Sequence, residues 1–128
     1  MIFLDASFLI AIFVENDQWH KFALKVLPKI SKKKKFISKL VIAETVTNLT
    51  HELDTKSIRE IYNNIKENFE VIDEHDYYDE AMKIFIKYDG VLSFFDSMYI
   101  NIMEKNEIYE IASFDEHFDN KDKLTRVY

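Results

Sequence analysis

Short apolar runs alternate with longer amphipathic segments along the chain. The run from Ile2 to Asp5 is apolar up to its last residue, which is typical of a buried parallel strand. Three similar runs predict further strands, and a last one predicts a candidate fifth strand. These runs are Phe36–Ser38, Glu70–Ile72, Glu110–Ser113 and Thr125–Tyr128.

Apolar residues at helical spacing predict six helices between these strands. They are Ala6–Val14, a segment after Asn16 and Asp17 that ends near Pro28 to Lys35, Leu40–Leu49, a segment from Thr55, Asp76–Tyr88, and a segment from Ser93. The predicted N-caps are Asn16 or Asp17, Thr55 and Ser93. Gly90 and Asn106 are predicted at helix C-termini, with Asn106 in a left-handed conformation.

This alternation predicts an α/β domain in which helices cover a central, mostly parallel sheet of four to five strands. A length of 128 residues fits one domain over residues 1–128. Because 48% of the residues are hydrophobic, such a domain can bury a sizeable core. The single glycine and single proline indicate regular elements with short joints.

The composition predicts a cytoplasmic protein that does not enter a membrane. No cysteine is present, which excludes disulfides, thiolate metal sites and cysteine nucleophiles. The apolar N-terminal segment lacks a basic leader and is interrupted by Asp5, unlike a signal peptide. No uninterrupted apolar stretch is long enough to span a bilayer.

The net charge bears on the class of ligand. Seventeen basic and 23 acidic residues give a net charge of −6, which argues against a broad phosphate-binding surface. That objection weakens if carboxylates bind metal ions. Two divalent cations on four carboxylates would bring the formal charge to about −2.

Two acids follow predicted strands directly. Asp5 ends the first strand, and Asp115 comes just after the fourth. The carboxyl ends of parallel strands share one edge of a sheet, where α/β proteins bind their ligands. We therefore expect these two carboxylates to meet. The simpler interpretation is that Asp5 caps the following helix and Asp115 caps a turn.

Two further acids interrupt apolar helical stripes. Glu44 lies within LVIAETV and Asp96 within VLSFFDSMYI, where a carboxylate loses hydration unless it is paired or binds a cation. No lysine or arginine lies one helical turn from Asp96 on either side. Alternatively, Glu44 is partly exposed at a helix edge and Asp96 pairs with a distant lysine.

A cluster of four carboxylates requires a counter-charge. Two unit charges about 4 Å apart repel by roughly 4 kcal/mol at an effective dielectric constant of 20. Oxygen ligands without thiolates suit Mg²⁺ or Mn²⁺, and such sites support phosphodiester hydrolysis. The pattern predicts a divalent-metal site.

The order and spacing of these segments resemble the PIN-domain family, most closely the small VapC-type toxin ribonucleases of toxin–antitoxin pairs. The resemblance covers almost the whole chain and rests on four segments that each contain one acid. They are IFLDASFLIA, VIAETVTNL, LSFFDSMYI with Ser93 before its acid, and IASFDEHFD with Ser113 before its acid.

The resemblance implies a PIN-like three-layer α/β/α sandwich and a Mg²⁺- or Mn²⁺-dependent endoribonuclease that cleaves single-stranded RNA with a metal-activated water. It also implies a homodimer and a small antitoxin partner. Ser7 would orient the first acid, and Asp119 is a weaker candidate for an auxiliary acid. The catalytic metal ligands implied are Asp5, Glu44, Asp96 and Asp115.

Other residue groups carry weaker signals. Trp19, Phe22 and Tyr62 are interpreted as core residues, with contacts to a partner as the alternative. The histidines at 20, 51, 75 and 117 are interpreted as surface residues, although His117 lies two positions past Asp115. The run Lys32–Lys35 is interpreted as a solvated loop that guides RNA only if the fold brings it near the acids.

Two other functions stay open at this point. One is a catalytically silent PIN-like module that binds a partner. The other is a different Mg²⁺-dependent phosphohydrolase or a phospho-acceptor receiver, for which Asp73 is the only rough candidate. A nucleotide-binding loop is excluded, because Gly90 is the only glycine.

Overall fold

The protein folds into one five-stranded sheet, and every strand pair in it is parallel. The structure is a computed structural model that describes residues 1–121 and 123–128. The candidate fifth strand is confirmed, and the sheet is wholly rather than mostly parallel. The strands are β1 (Ile2–Leu4), β2 (Lys35–Ser38), β3 (Glu70–Ile72), β4 (Glu110–Ala112) and β5 (Thr125–Val127).

Six α-helices occupy the described residues, as the sequence predicts. They are α1 (Ala6–Phe13), α2 (His20–Ile30), α3 (Lys39–Leu49), α4 (Thr55–Asn68), α5 (Tyr78–Lys87) and α6 (Phe94–Lys105). A short 3-10 helix follows β4 at Glu116–Phe118. Among the described residues, no helix combines the length and apolarity needed to cross a bilayer.

The strand order is β3-β2-β1-β4-β5. The chain runs outward from β1 to β3 and then returns to place β4 on the other side of β1, so the order reverses between β1 and β4. Phe3 is paired with Ile111, and Leu4 with Ala112. This register puts the residues after β1 and β4 side by side, at the position where α/β proteins bind ligands.

The helices lie on both faces of the sheet, which confirms the three-layer α/β/α sandwich. Right-handed crossovers put α1 to α4 on one face and α5 and α6 on the other, because the chain reverses direction after β3. The contacts agree: α1 packs on α2 and α3, α3 packs on α4, and α5 packs on α6. The central strand β1 is completely buried between the layers.

The helix N-termini correct two predictions. Ser93 caps α6 as predicted, since its hydroxyl accepts a 3.0 Å hydrogen bond from the Asp96 amide. Thr55 is the first residue of α4 rather than its cap, because the Asp54 carboxylate accepts from the Ser57 amide. The α2 helix begins only at His20, and Asp17 instead caps the preceding turn.

The helix C-termini correct a third prediction. Gly90 adopts a φ of 71°, and its amide donates to the Phe85 carbonyl at 3.1 Å, as expected beyond a helix end. Asn106 ends α6 but is not left-handed. Its φ is −105°, and its side-chain amide donates to the Ile102 carbonyl, so Glu107 adopts the left-handed conformation instead.

Candidate metal centre

Asp5 is a buried carboxylate at the end of the central strand, with 5% of its surface exposed. One oxygen, Oδ1, accepts hydrogen bonds from the Ser7 hydroxyl at 2.7 Å and the Phe8 amide at 3.1 Å. The other, Oδ2, accepts from the Ser113 hydroxyl at 2.5 Å. Asp5 does cap α1, but its second oxygen reaches across to the residue after β4. Cap and candidate ligand are therefore the same residue.

Asp96 lies in the first turn of α6 and is only 8% exposed. Its position is fixed by the N-cap, because its amide donates to the Ser93 hydroxyl. No lysine or arginine of residues 1–121 and 123–128 forms an ion pair with it. The alternative of a distant lysine partner finds no support among these residues, and the carboxylate remains buried without a fixed counter-charge.

Glu44 projects from α3 and is half-buried. Its Oε2 atom accepts a 2.5 Å hydrogen bond from the Tyr99 hydroxyl. Tyr99 is one turn past Asp96 on α6 and is almost completely buried. Glu44 is thus partly exposed, as the simpler interpretation has it, but its carboxylate is held by the helix that carries Asp96.

Asp115 follows β4 and caps the short 3-10 helix. Its amide donates to the Ser113 hydroxyl at 2.9 Å, and its Oδ1 atom accepts from the His117 amide at 2.9 Å. The turn brings the His117 ring back, so that Nδ1 lies 3.3 Å from the same carboxylate oxygen. His117 is exposed, as predicted, yet it lies beside this acid.

The tightest set of possible ligand atoms comes from three residues. One atom each of Asp96, Asp115 and His117 lie within 4.8 Å of one another. Asp5 and Glu44 fall outside this set, but the charges of both raise the pKa of Asp96, and the charge of Glu44 raises the pKa of Asp5. The four predicted acids therefore lie in one cluster, and Asp96, Asp115 and His117 are the members that bring ligand atoms within 4.8 Å of one another.

Among the described residues, no positively charged group offsets the negative charge at Asp5 and Asp96. Burial, followed by the negative charges of Asp115, Asp5 and Glu44, raises the pKa of Asp96 from 3.8 to about 7 against the lowering effect of the Ser93 hydrogen bond. Burial also raises the pKa of Asp5 to about 6, although bonds from Ser113, Ser7 and Phe8 oppose this. A bound cation would reverse both effects.

The donor set fits a hard divalent cation. Carboxylate oxygens predominate, one imidazole nitrogen is available, and the chain has no thiolate. Mg²⁺ and Mn²⁺ both accept such oxygen ligands, whereas imidazole favours Mn²⁺. The three hydrogen bonds to Asp5 use three of the roughly four lone-pair directions of a carboxylate, so about one remains for a ligand.

Sequence reasoning missed the partners that position these acids. From the sequence, Tyr99 is one more apolar residue of the stripe that contains Asp96, and Ser113 is a strand residue that the resemblance places before Asp115 without a bonding role. The sequence signal for these contacts is spacing: Tyr99 lies three residues after Asp96, and Ser113 lies two residues before Asp115. Ser7 lies where the resemblance implies, with its hydroxyl on Asp5 and also accepting from the Phe114 amide.

Other predicted candidates lie elsewhere. Asp119 accepts two hydrogen bonds from Arg126, at 2.7 and 2.8 Å, and takes no part in the ligand set. The lysine run lies at the amino-terminal edge of the sheet, where Lys33 pairs with Glu110 and Lys34 approaches Glu70. That edge is opposite to the acids, so the condition for guiding RNA is not met.

The receiver alternative also fails on geometry. Asp73 follows β3, which is an edge strand, whereas a receiver carries its acceptor on a central strand. Its carboxylate forms an exposed ion pair with Lys39, at 2.9 Å. The Asp73 side chain is therefore occupied outside the acidic cluster.

Comparison with solved structures shows the same fold in three proteins. VapC20 of Mycobacterium tuberculosis, described as a toxin that cleaves the sarcin-ricin loop, has a TM-score of 0.80 at 23% identity over 91% of both chains. PAE2754 of Pyrobaculum aerophilum has a TM-score of 0.70 at 21% identity, over 98% of this chain and 87% of its own. VapBC2 of Rickettsia felis, bound to a promoter DNA fragment, has a TM-score of 0.68 at 15% identity over 99% and 98%.

Sequence comparison gives the family. No curated protein sequence matches the chain significantly. The family model of the PIN domain matches residues 2–124, a range that contains all four acids and His117. Since this range is nearly the whole chain, the protein belongs to the PIN domain family.

Proposed function

We propose that this protein is a Mg²⁺- or Mn²⁺-dependent endoribonuclease that cleaves single-stranded RNA, and that it is the toxin of a toxin–antitoxin pair. The observation that carries the proposal is the acidic cluster at the reversal of strand order, with Asp96 and Asp5 buried and short of positive charge. Membership of the PIN domain family supports the same conclusion.

The chain's own residues would prepare the site for hydrolysis. Bound divalent cations supply Lewis acidity and lower the pKa of a coordinated water. Asp96 and Asp115 would bind the ions most directly, because they and His117 have ligand atoms within 4.8 Å of one another. Tyr99 holds the Glu44 carboxylate in one orientation, and the two serines do the same for Asp5. Such supporting bonds keep ligands in place before the ions arrive.

The structural relatives support the biological role. One similar structure is described as a toxin that cleaves the sarcin-ricin loop, and another is a VapBC complex. We propose a protein antitoxin as partner, and a homodimer as the assembly. Large apolar side chains that lie exposed are compatible with such contacts, among them Tyr62, Ile86 and Val91.

Cleavage of a labelled single-stranded RNA, with and without a chelator, tests the activity. We expect products in Mg²⁺ or Mn²⁺, loss of cleavage in EDTA, and recovery when the cation is restored. A duplex of the same sequence should be cleaved far more slowly. Cleavage that persists in EDTA would contradict the metal requirement. Absence of cleavage under every condition would favour a silent binding module.

Replacement of His117 by Gln should weaken Mn²⁺ binding about tenfold and change Mg²⁺ binding little, because imidazole is a better ligand for Mn²⁺. The reason is the position of Nδ1, 3.3 Å from Asp115. Isothermal titration calorimetry with each ion measures this directly. His75→Gln is the matched control, since His75 is exposed and outside the ligand set. Unchanged affinity for both ions would show that His117 is not a ligand.

A further inference from the structure

Trp19 is an exposed aromatic residue with a fixed orientation. It lies just before α2, and 37% of its surface is accessible. Its indole stacks on the Phe114 ring with centroids 5.3 Å apart and planes only 4° apart. Phe114 in turn stacks on the buried Phe8 at 5.7 Å. This row of rings anchors the indole to the segment that carries Asp115, the next residue in the chain.

The indole borders the same cavity as one of the candidate metal ligands. This cavity has a volume of about 300 Å³, at the lower end of the range for ligand pockets. Glu44 lines this cavity together with the apolar α1 residues Ala6 and Ile10. The other polar residues around it are Ser7, Asp17, Gln18 and Asn48.

The lining of this cavity is unsuited to phosphate but suited to a nucleobase. It contains two carboxylates and neither lysine nor arginine, so it repels a phosphodiester. A flat π-face, by contrast, accepts any base without charge. The side-chain NH2 group of Asn48 donates to the main-chain carbonyl of Glu44. The side-chain oxygen of Asn48 is left as an acceptor for a base edge.

We propose that Trp19 is a stacking platform for an unpaired nucleobase next to the phosphate that is cleaved. This inference rests on the proposed RNA cleavage and adds a contact that selects single-stranded substrate. Stacking on Trp19 requires a base that has left its duplex. Because the lysine run is at the far edge of the sheet, an uncharged contact here compensates for the weak phosphate attraction at the acidic edge.

The fluorescence of Trp19 tests the contact directly, because it is the only tryptophan. Asp96→Asn protein in Mg²⁺ is titrated with a single-stranded RNA oligomer whose binding is followed by the anisotropy of a terminal label. We expect quenching of the indole emission in step with binding, and much less with the matching duplex. Binding without quenching would overturn the proposal.

Kinetics of Trp19 variants provide the second test. Trp19→Ala should raise KM for single-stranded RNA about tenfold with little change in kcat, since base stacking contributes to binding, and Trp19→Phe should lie between. Tyr62→Ala is the matched control, because Tyr62 is 38% exposed and lies in a different cavity. Thermal melting verifies that each variant is folded.

The outcomes separate this inference from the proposed function. A folded Trp19→Ala variant with unchanged KM would overturn the stacking role. This is the result expected if Trp19 contacts only a protein partner. If Trp19→Ala does not fold, the fluorescence titration alone decides. If wild-type protein neither binds nor cleaves RNA, the proposed function itself fails, and the stacking role fails with it.

Discussion

Replacement of Asp96 by Asn is expected to reduce the proposed metal-dependent RNA cleavage at least about 100-fold, because it removes a proposed ligand of ions that would stabilise the transition state by several kcal/mol. The substitution keeps the shape of the side chain, and the cap bond uses the backbone amide, which does not change. The loss should therefore appear in kcat and in cation affinity rather than in folding. Initial rates across a Mg²⁺ titration measure both.

Asp119→Asn is the matched control for this prediction. Asp119 is an acid of the same region, but both its oxygens bind Arg126, so cleavage should be unchanged. Equal activity in wild type and Asp96→Asn would remove Asp96 from the mechanism. Equal loss in both variants would indicate general damage to the fold rather than loss of a ligand.

Metal-free Asp96→Asn protein is expected to become more stable than wild type as the pH rises from about 4 to 8. The folded-state pKa of Asp96, about 7, lies above its ordinary value of 3.8. Folding therefore favours the protonated form of Asp96. The contribution of this group to the free energy of unfolding is complete below about pH 4 and is lost as the pH rises through about 7. Each pKa unit corresponds to about 1.4 kcal/mol, so the difference amounts to a few kcal/mol.

Thermal melts in chelator at pH 4 and pH 8 test this expectation. The Tm advantage of Asp96→Asn should be small at pH 4 and roughly 10 °C at pH 8, and excess Mg²⁺ should reduce it by stabilising wild type. Asp119→Asn should behave oppositely, because Arg126 lowers the pKa of Asp119 and this ion pair stabilises the fold above pH 4. A Tm difference between Asp96→Asn and wild type that does not vary with pH would contradict the expectation.

Local patterns were sufficient to predict the elements and the neighbourhood of the acids. In a parallel sheet, an acid that directly follows a strand lies at the carboxyl edge of the sheet. The sequence therefore predicts that Asp5 and Asp115 lie at the same edge. Ser93 was predictable as a cap because its role depends on the next three residues. Asp54 and Thr55 are both good cap types, and sequence alone does not distinguish adjacent candidates.

Contacts between distant residues were not predictable. The bond from Tyr99 to Glu44 joins two helices across 55 positions, and Ser113 reaches Asp5 across 108. Neither contact leaves a periodic trace in the sequence. If α2 began at Asp17, Trp19 would belong to the apolar stripe of that helix, and the sequence therefore predicts it as a core residue. The helix begins at His20, so Trp19 lies outside that stripe and is exposed.

The central position of β1 has a consequence for synthesis of the chain. This strand leaves the ribosome before the other four strands, but it acquires its β4 neighbour only after residues 110–112 have been added. Chains elongate at about 5–20 residues per second, so an incomplete chain carries Asp5 for several seconds without the strand that brings Asp115 beside it. A nascent chain therefore lacks an assembled acidic cluster until β4 has been synthesised and has left the ribosome.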